Sequence, residues 1–167
     1  MGDTEEEGWG RTTPERVRVR TSLCRKAAEQ LLKRCEVEGP PVPVDGIAGR
    51  LGFGVLIVDL PRGVDARLRV SGANRVIEVA SGQARVRHRF SIAHELGHAS
   101  LGHRHGETEV VEQEANAFAG ALLVPQSWLK RDIDTFTTVS ALADRYEVSC
   151  DVIFIAAQRA RFLDRLR

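Results

Sequence analysis

His94-Glu95-Leu96-Gly97-His98 is the stretch from which the rest of the chain is read. Residues four apart lie about 40° apart around a helix axis, one turn along it, so both imidazoles can grip a single ion. Glu95 sits on the flank of that face, close enough to take a proton from a water held there. The spacing His-Glu-x-x-His is that of helix-borne zinc sites that hydrolyse peptide bonds. With five histidines in 167 residues, chance would yield it in about one sequence in a hundred of this composition. The plainer alternative, two histidines decorating a helix surface, asks nothing of the opposite face. That face is apolar here: counted around the axis from His94, Ile92, Ala93, Leu96 and Ala99 fall between about 140° and about 260°.

The pattern predicts a helix from about Ala84 to Leu101, closed by the loop Gly102-His103-Arg104-His105-Gly106. Upstream, Val55-Leu56-Ile57-Val58-Asp59 is a short branched run typical of a strand. Ala66 to Ser71 and Arg75 to Val79 continue the β pattern, with breakers at Pro61-Arg62-Gly63, at Gly72-Ala73-Asn74 and at Ser81-Gly82. These make three strands of a small, mostly antiparallel sheet lying on the motif helix. Before them come a helix from Pro14 to about Glu36, with apolar residues Val17, Leu23, Ala27, Ala28, Leu31 and Leu32, and a Pro-rich turn. A short helix over Asp45 to Leu51, capped by Gly52, follows the turn. The expected class is therefore α+β, a three-stranded sheet packed on an active-site helix with further helices around it.

Two histidines leave a catalytic zinc short of a protein ligand. The next helix, about Glu109 to Leu123, offers Glu109, Glu112 and Glu114. Counted around the axis from Glu112, Asn116 falls at about 40°, Ala119 at about 340° and Leu123 at about 20°, so this stripe is expected to face inward. Glu114 points about 160° away, beside Phe118 and Ala121, and reads as a solvated surface charge. Glu112 is the expected third ligand, and Asn116, one turn on, either holds a ligating imidazole or is an ordinary surface amide. For a group that stabilises developing negative charge, His103, Arg104, His105 and Tyr146 are all candidates, and spacing does not choose among them.

Beyond Pro125 two helices are expected, about Val139 to Arg145 and from the N-cap Ser149 to the end of the chain. Ser140 to Ser149 has the look of the first helix and turn of a helix-turn-helix. The following Cys150-Asp151-Val152-Ile153-Phe154-Ile155-Ala156-Ala157 is too apolar to face a DNA groove, so core packing is expected of it. Arg159, Arg161, Arg165 and Arg167 make the end basic, and a solvated helix face accounts for them.

Composition bounds the rest. The hydrophobic fraction of 43% suffices for a core, and a net charge of +1 makes the whole molecule no trap for nucleic acid or membrane. No apolar run is long enough to span a bilayer. The acidic start Met1-Gly2-Asp3-Thr4-Glu5-Glu6-Glu7 lacks the pattern of a signal peptide, so a cytoplasmic location is expected. Cys24, Cys35 and Cys150 form no close pair and read as buried free thiols.

Taken together, Arg89-Phe90-Ser91-Ile92-Ala93-His94-Glu95-Leu96-Gly97-His98 with Leu101-Gly102-His103, and Glu112-Gln113-Glu114-Ala115-Asn116-Ala117-Phe118-Ala119 with Leu122-Leu123-Val124-Pro125, resemble the ImmA/IrrE family of metallopeptidases. Leu51-Gly52-Phe53-Gly54-Val55 fits as well, and the resemblance covers roughly residues 40 to 130 closely. It implies a minimal gluzincin-like fold, a metal (Zn2+, or Mn2+ on the same ligands) held by His94, His98 and Glu112, and Glu95 as catalytic base. It also implies a protein substrate, a helix-turn-helix transcriptional repressor encoded nearby, whose cleavage relieves repression of mobile-element or stress-response genes. Neither a membrane nor direct nucleic-acid binding is expected. The long C-terminal sensor domain of the radiation-response members has no counterpart here, so sensing by that route is not expected. The competing reading is a zinc-containing DNA-binding or protein-interaction regulator without proteolytic activity. The expected organisation is a disordered acidic stretch over 1–13, a zinc metallopeptidase domain over 14–130, and a helix-turn-helix-like segment over 131–167 packed on the core.

Overall fold

The computed structural model describes residues 18–103, 108–136 and 138–166. Its elements run α1 (Thr21–Arg34), α2 (Val44–Arg50), β1 (Gly54–Val58), β2 (Ala66–Ser71), β3 (Asn74–Ala80), α3 (Arg85–Leu101), α4 (Glu109–Leu123), α5 (Gln126–Asp132), α6 (Val139–Tyr146) and α7 (Cys150–Ala160). A 3-10 turn over Leu163–Arg165 follows. The class is α+β, as the sequence implies.

The sheet has the order β1-β3-β2. The β2–β3 hairpin turns at Gly72-Ala73 and is antiparallel, pairing Ser71 with Asn74 and Ala66 with Val79. β1 pairs with β3 in parallel, from Gly54 against Val76 to Val58 against Ala80. The sheet is thus mixed, which corrects the expectation of a mostly antiparallel one. The cause is the connection over residues 59–65, which carries the chain past β3, so β1 lies on the far side of the central strand and runs the same way. Arg67 and Arg69 point off the β2 ladder and meet Glu78 of β3 at 2.6 and 3.2 Å.

One core joins sheet and helices. Ile77 and Val79 of β3 are buried with Ile92, Ala93 and Leu96 of α3, and with Phe118, Leu122 and Leu123 of α4. α1 adds Ala28, Leu31 and Leu32, an i, i+3, i+4 stripe laid on α4. Arg89, buried in α3, donates to the carbonyls of Val42 (2.9 Å) and Glu147 (3.0 Å), tying the motif helix to the Pro-rich turn and to the α6–α7 corner.

Several boundaries differ from expectation. α1 begins at Thr21 and residues 18–20 are not helical; residues 1–17 lie outside the described ones, and with them the stretch expected to be disordered and Val17. α5 has no counterpart among the expected elements. Pro125, which stops α4, also starts this helix, because its fixed φ suits the entry to a first turn. α7 ends at Ala160, where Arg161 takes a left-handed φ of 61°, so it does not run to the end of the chain. It buries only Ile153 and Ala157 and leaves Phe154 and Ile155 exposed, so core packing accounts for one stripe of it. Cys24 and Cys35 are buried free thiols, whereas Cys150, at the first position of α7, is exposed. Among the described residues no helix is long and apolar enough to cross a membrane.

Candidate metal centre

α3 and α4 hold the site between them, and they can do so because Gly97 carries no side chain. A Cβ at Gly97 would stand 3.1 Å from the Phe118 ring, 3.2 Å from the Ala115 carbonyl oxygen and 3.3 Å from the Ala115 Cα. The two helices therefore approach with backbone against backbone, which places Glu112 across from the two histidines. α3 then stops at Gly102, whose φ of 71° is the left-handed conformation glycine adopts without penalty. That turn folds the chain back so that the His103 backbone N–H donates to the His98 carbonyl at 3.0 Å.

Three side chains converge. His94 Nε2 and His98 Nε2 are 3.0 Å apart, His94 Nε2 is 3.3 Å from Glu112 Oε2, and His98 Nε2 is 3.5 Å from Glu112 Oε1. Ligands about 2.05 Å from a tetrahedral ion are separated by about 3.3 Å, so these separations, with one Glu112 oxygen beside each imidazole, suit a zinc-sized cation. Two imidazoles and a carboxylate suit Zn2+ and tolerate Mn2+. His94, His98 and Glu112 are also a group able to hold a metal by the mutual proximity of their ligand atoms.

The centre lies in a cleft of about 530 Å³. One wall is the run from Gly63 to Leu68, which contains the start of β2, an edge strand of the sheet among the described residues. Glu95 lines the same cleft, buried but for 8% of its surface, beside Leu68. Burial pushes its carboxyl up from the usual range, against the pull of His94. A second, more apolar groove of about 550 Å³ between α1, α4 and α7 meets the cleft at Phe90 and Asn116.

The outer ring nitrogens of both histidines are also engaged. His94 Nδ1–H donates to Asn116 Oδ1 at 3.0 Å, so of the two readings of Asn116 the geometry selects the one in which it holds an imidazole. His98 Nδ1 lies 3.2 Å from His103 Nδ1, and His103 Nε2 lies 3.2 Å from Glu114 Oε2. Glu114 accepts three further hydrogen bonds from Arg20: backbone N–H (2.9 Å) and Nε–H (2.8 Å) to Oε1, and a guanidinium N–H (2.7 Å) to Oε2. The Arg20 hydrogen bond, stronger than the effect of burial, holds the Glu114 carboxyl down at about 2.

Two sequence readings of α4 are corrected here. Glu114 is not a solvated surface charge; its side chain is 2% exposed. Glu112, by contrast, is 55% exposed and looks with Asn116 into the cleft, while Ala119 and Leu123 further along the same stripe are buried in the core as expected. Helical phase separates the two glutamates, but which face meets solvent is decided by α1 covering the Glu114 side. A signal for this exists in the sequence: Phe118 flanks Glu114, and an aromatic neighbour marks a buried stripe. Of the candidates for charge stabilisation, Tyr146 is fully buried and its hydroxyl donates to Asp132 at 3.1 Å, remote from the cleft lining. His103 lines the cleft but is committed to His98 and Glu114. Arg104 and His105 lie outside the described residues.

No curated protein matches significantly. A solved structure named as a Mycobacterium tuberculosis transcriptional regulator shares the fold, with a TM-score of 0.62 and 22% identity, over 79% of this chain and 45% of that one. The chain thus spans less than half the length of that neighbour. A family profile described as the IrrE N-terminal-like domain matches residues 48–157, from within α2 into α7 and across the whole His-His-Glu cluster, and the chain belongs to this peptidase family.

Proposed function

We propose that this chain is a zinc-dependent endopeptidase, with His94, His98 and Glu112 holding the metal and Glu95 as the catalytic base. The observation that carries the reading is the convergence of His94 Nε2, His98 Nε2 and the two Glu112 oxygens, at separations of 3.0, 3.3 and 3.5 Å, with a buried carboxylate in the same cleft. When bound, the cation would supply Lewis acidity to water and to the scissile carbonyl. Glu95 takes the proton of the attacking water and returns it to the departing amine, so its charge is the same before and after the reaction. Asn116 keeps the His94 hydrogen on Nδ1 and leaves Nε2 free to ligate. β2 is an edge strand among the described residues; the Leu68 backbone already bonds to Glu95, and the rest of the edge offers donors and acceptors to an extended peptide. The groove that meets the cleft at Phe90 and Asn116 lets a polypeptide continue past the centre, which favours cutting within a chain.

The substrate we infer is a helix-turn-helix repressor encoded nearby, cut to relieve repression of mobile-element or stress-response genes. The family and the neighbour named a transcriptional regulator support a regulatory protein target. Such a target would place the enzyme in the cytoplasm. We take 14–130 as the peptidase domain and 131–167 as a helical segment packed on it. The same neighbour's name favours a second reading, a metal-bearing regulator that binds DNA or protein without cutting.

One experiment separates them. Purified protein is mixed with the neighbouring repressor, with zinc or with a chelator, beside Glu95→Gln. The proposal expects zinc-dependent fragments from wild type and none from the variant, with zinc bound by both. A protein that binds zinc and never cuts, with Glu95→Gln indistinguishable from it, sinks the peptidase reading. A sequence-specific gel shift would support the second.

A further inference from the structure

We propose that His103, Glu114 and Arg20 form a positioning chain that holds the His98 imidazole in its metal-facing orientation. The inference rests on the metal-centre reading above and extends it beyond the ligands. His98 Nε2 faces His94 and Glu112, so to ligate it must offer a lone pair there, and the ring hydrogen must sit on Nδ1. That N–H points at His103 Nδ1, 3.2 Å away, which must then be the acceptor. The His103 hydrogen is left on Nε2, where Glu114 Oε2 receives it at 3.2 Å. Arg20 fills the remaining positions on Glu114 with three donors between 2.7 and 2.9 Å. Every hydrogen along the line thus has one consistent place, from His98 to the start of α1.

Stability alone does not account for this arrangement. His103 and Glu114 have side chains 4% and 2% exposed, and taking such groups out of water is costly; an apolar pair of similar volume would fill the space as well. What an apolar pair cannot do is accept the His98 hydrogen and fix the ring. The two histidines are then served separately, His94 by Asn116 on α4 and His98 by this longer chain. These are positioning residues, since they act through His98 and are not among the residues whose ligand atoms converge.

The test is zinc affinity of the full chain, read by competition with a chromophoric chelator. His103→Phe and Glu114→Gln are expected to weaken zinc binding about 10- to 100-fold. Arg20→Ala should move it in the same direction by less. His103→Gln, whose amide can accept from His98 and donate to Glu114, should recover much of the loss. Visible absorption of the Co2+-loaded protein should shift in His103→Phe and return toward wild type in His103→Gln. A purely structural role would lower the melting temperature of the metal-free protein and leave zinc affinity unchanged. Folded His103→Phe and Glu114→Gln that bind zinc as tightly as wild type would overturn the inference. If His103→Phe does not fold, Arg20→Ala and His103→Gln carry the same comparison. Wild type that binds no zinc removes the centre itself, a different failure from intact binding in the variants.

Discussion

Glu112 and Glu114 stand two positions apart on one helix, turned about 160° from each other, and their surroundings give them different work. Glu112 looks into an open cleft beside two imidazoles, where a carboxylate can move onto a cation. Glu114 is sealed under α1 and saturated by Arg20 and His103. Glu112→Ala should therefore abolish tight zinc binding. Asn116→Ala, which removes only the acceptor for His94 Nδ1–H, should cost about 10- to 100-fold in zinc affinity while leaving the fold intact. Chelator competition and circular dichroism together check both. Tyr146 belongs to another set of residues altogether. A donor to the oxyanion is worth about 10²–10³ in kcat, whereas a lone buried hydroxyl bond contributes about 1 kcal/mol to stability. Since its hydroxyl faces Asp132, Tyr146→Phe should lower stability by about that amount and leave activity per folded molecule unchanged. A hundredfold loss of kcat in a folded variant would return Tyr146 to the catalytic machinery.

At the scale of elements, the contact of α3 with α4 decides whether there is a site. The 3.1–3.3 Å distances around a hypothetical Gly97 Cβ mean that Ala already requires a shift of a few tenths of an ångström, and the obstacle is partly backbone. Gly97→Val should part the helices, costing about 1–3 kcal/mol and weakening zinc binding because Glu112 is drawn away from the histidines. Thermal melting with and without zinc reads both effects. Denaturation and zinc affinity unchanged in Gly97→Val would show that the helices do not need this close approach. The same contact explains what was legible in the sequence. α3 and α4 carry long, regular stripes, and their 3.6-residue period located both helices, put the two histidines on one face and set Glu112 and Glu114 on different ones. β2 and β3 were legible through alternation and a glycine turn. The parallel pairing of β1 was not, because register between non-consecutive strands depends on a loop path that no local pattern encodes. The burial of Glu114 was not, because periodicity reports which residues share a face and leaves open what covers it. α5, as short as α2, escaped because no glycine cap closes it as Gly52 follows α2, and only Leu129 and Asp132 of its seven residues are buried.

For the molecule as a whole, a second polar cluster away from the metal centre fastens α5 to α6. Asp132, at the end of α5, accepts hydrogen bonds from Arg131 Nε–H (2.9 Å), Arg145 Nε–H (2.7 Å) and the Tyr146 hydroxyl (3.1 Å). Burial pushes its carboxyl up, but the hydrogen bonds from Arg131, Arg145 and Tyr146 outweigh burial and hold it below the usual range. The sign of the pH effect follows. A carboxyl that is more acidic when folded is protonated more readily in the unfolded chain, so acid favours unfolding. The stability it contributes is fully present above the ordinary aspartate pKa of about 3.9 and is lost as pH falls through the depressed folded value. The chelator-treated protein is the right sample, because protonating the histidines of a loaded centre would release metal and add its own acid limb. Asp132→Asn should be less stable than wild type at neutral pH, since it leaves a buried tyrosine hydroxyl and two arginines with a weaker acceptor, a loss of about 1–3 kcal/mol. The gap between the two proteins should then narrow on acidification below about pH 4, because only wild type has this carboxylate to protonate. Urea unfolding midpoints at a series of pH values measure that gap. Curves that stay parallel down to the acid limit would mean that Asp132 is equally acidic folded and unfolded, and that α5 is held by its apolar contacts, Leu129 above all, rather than by the cluster.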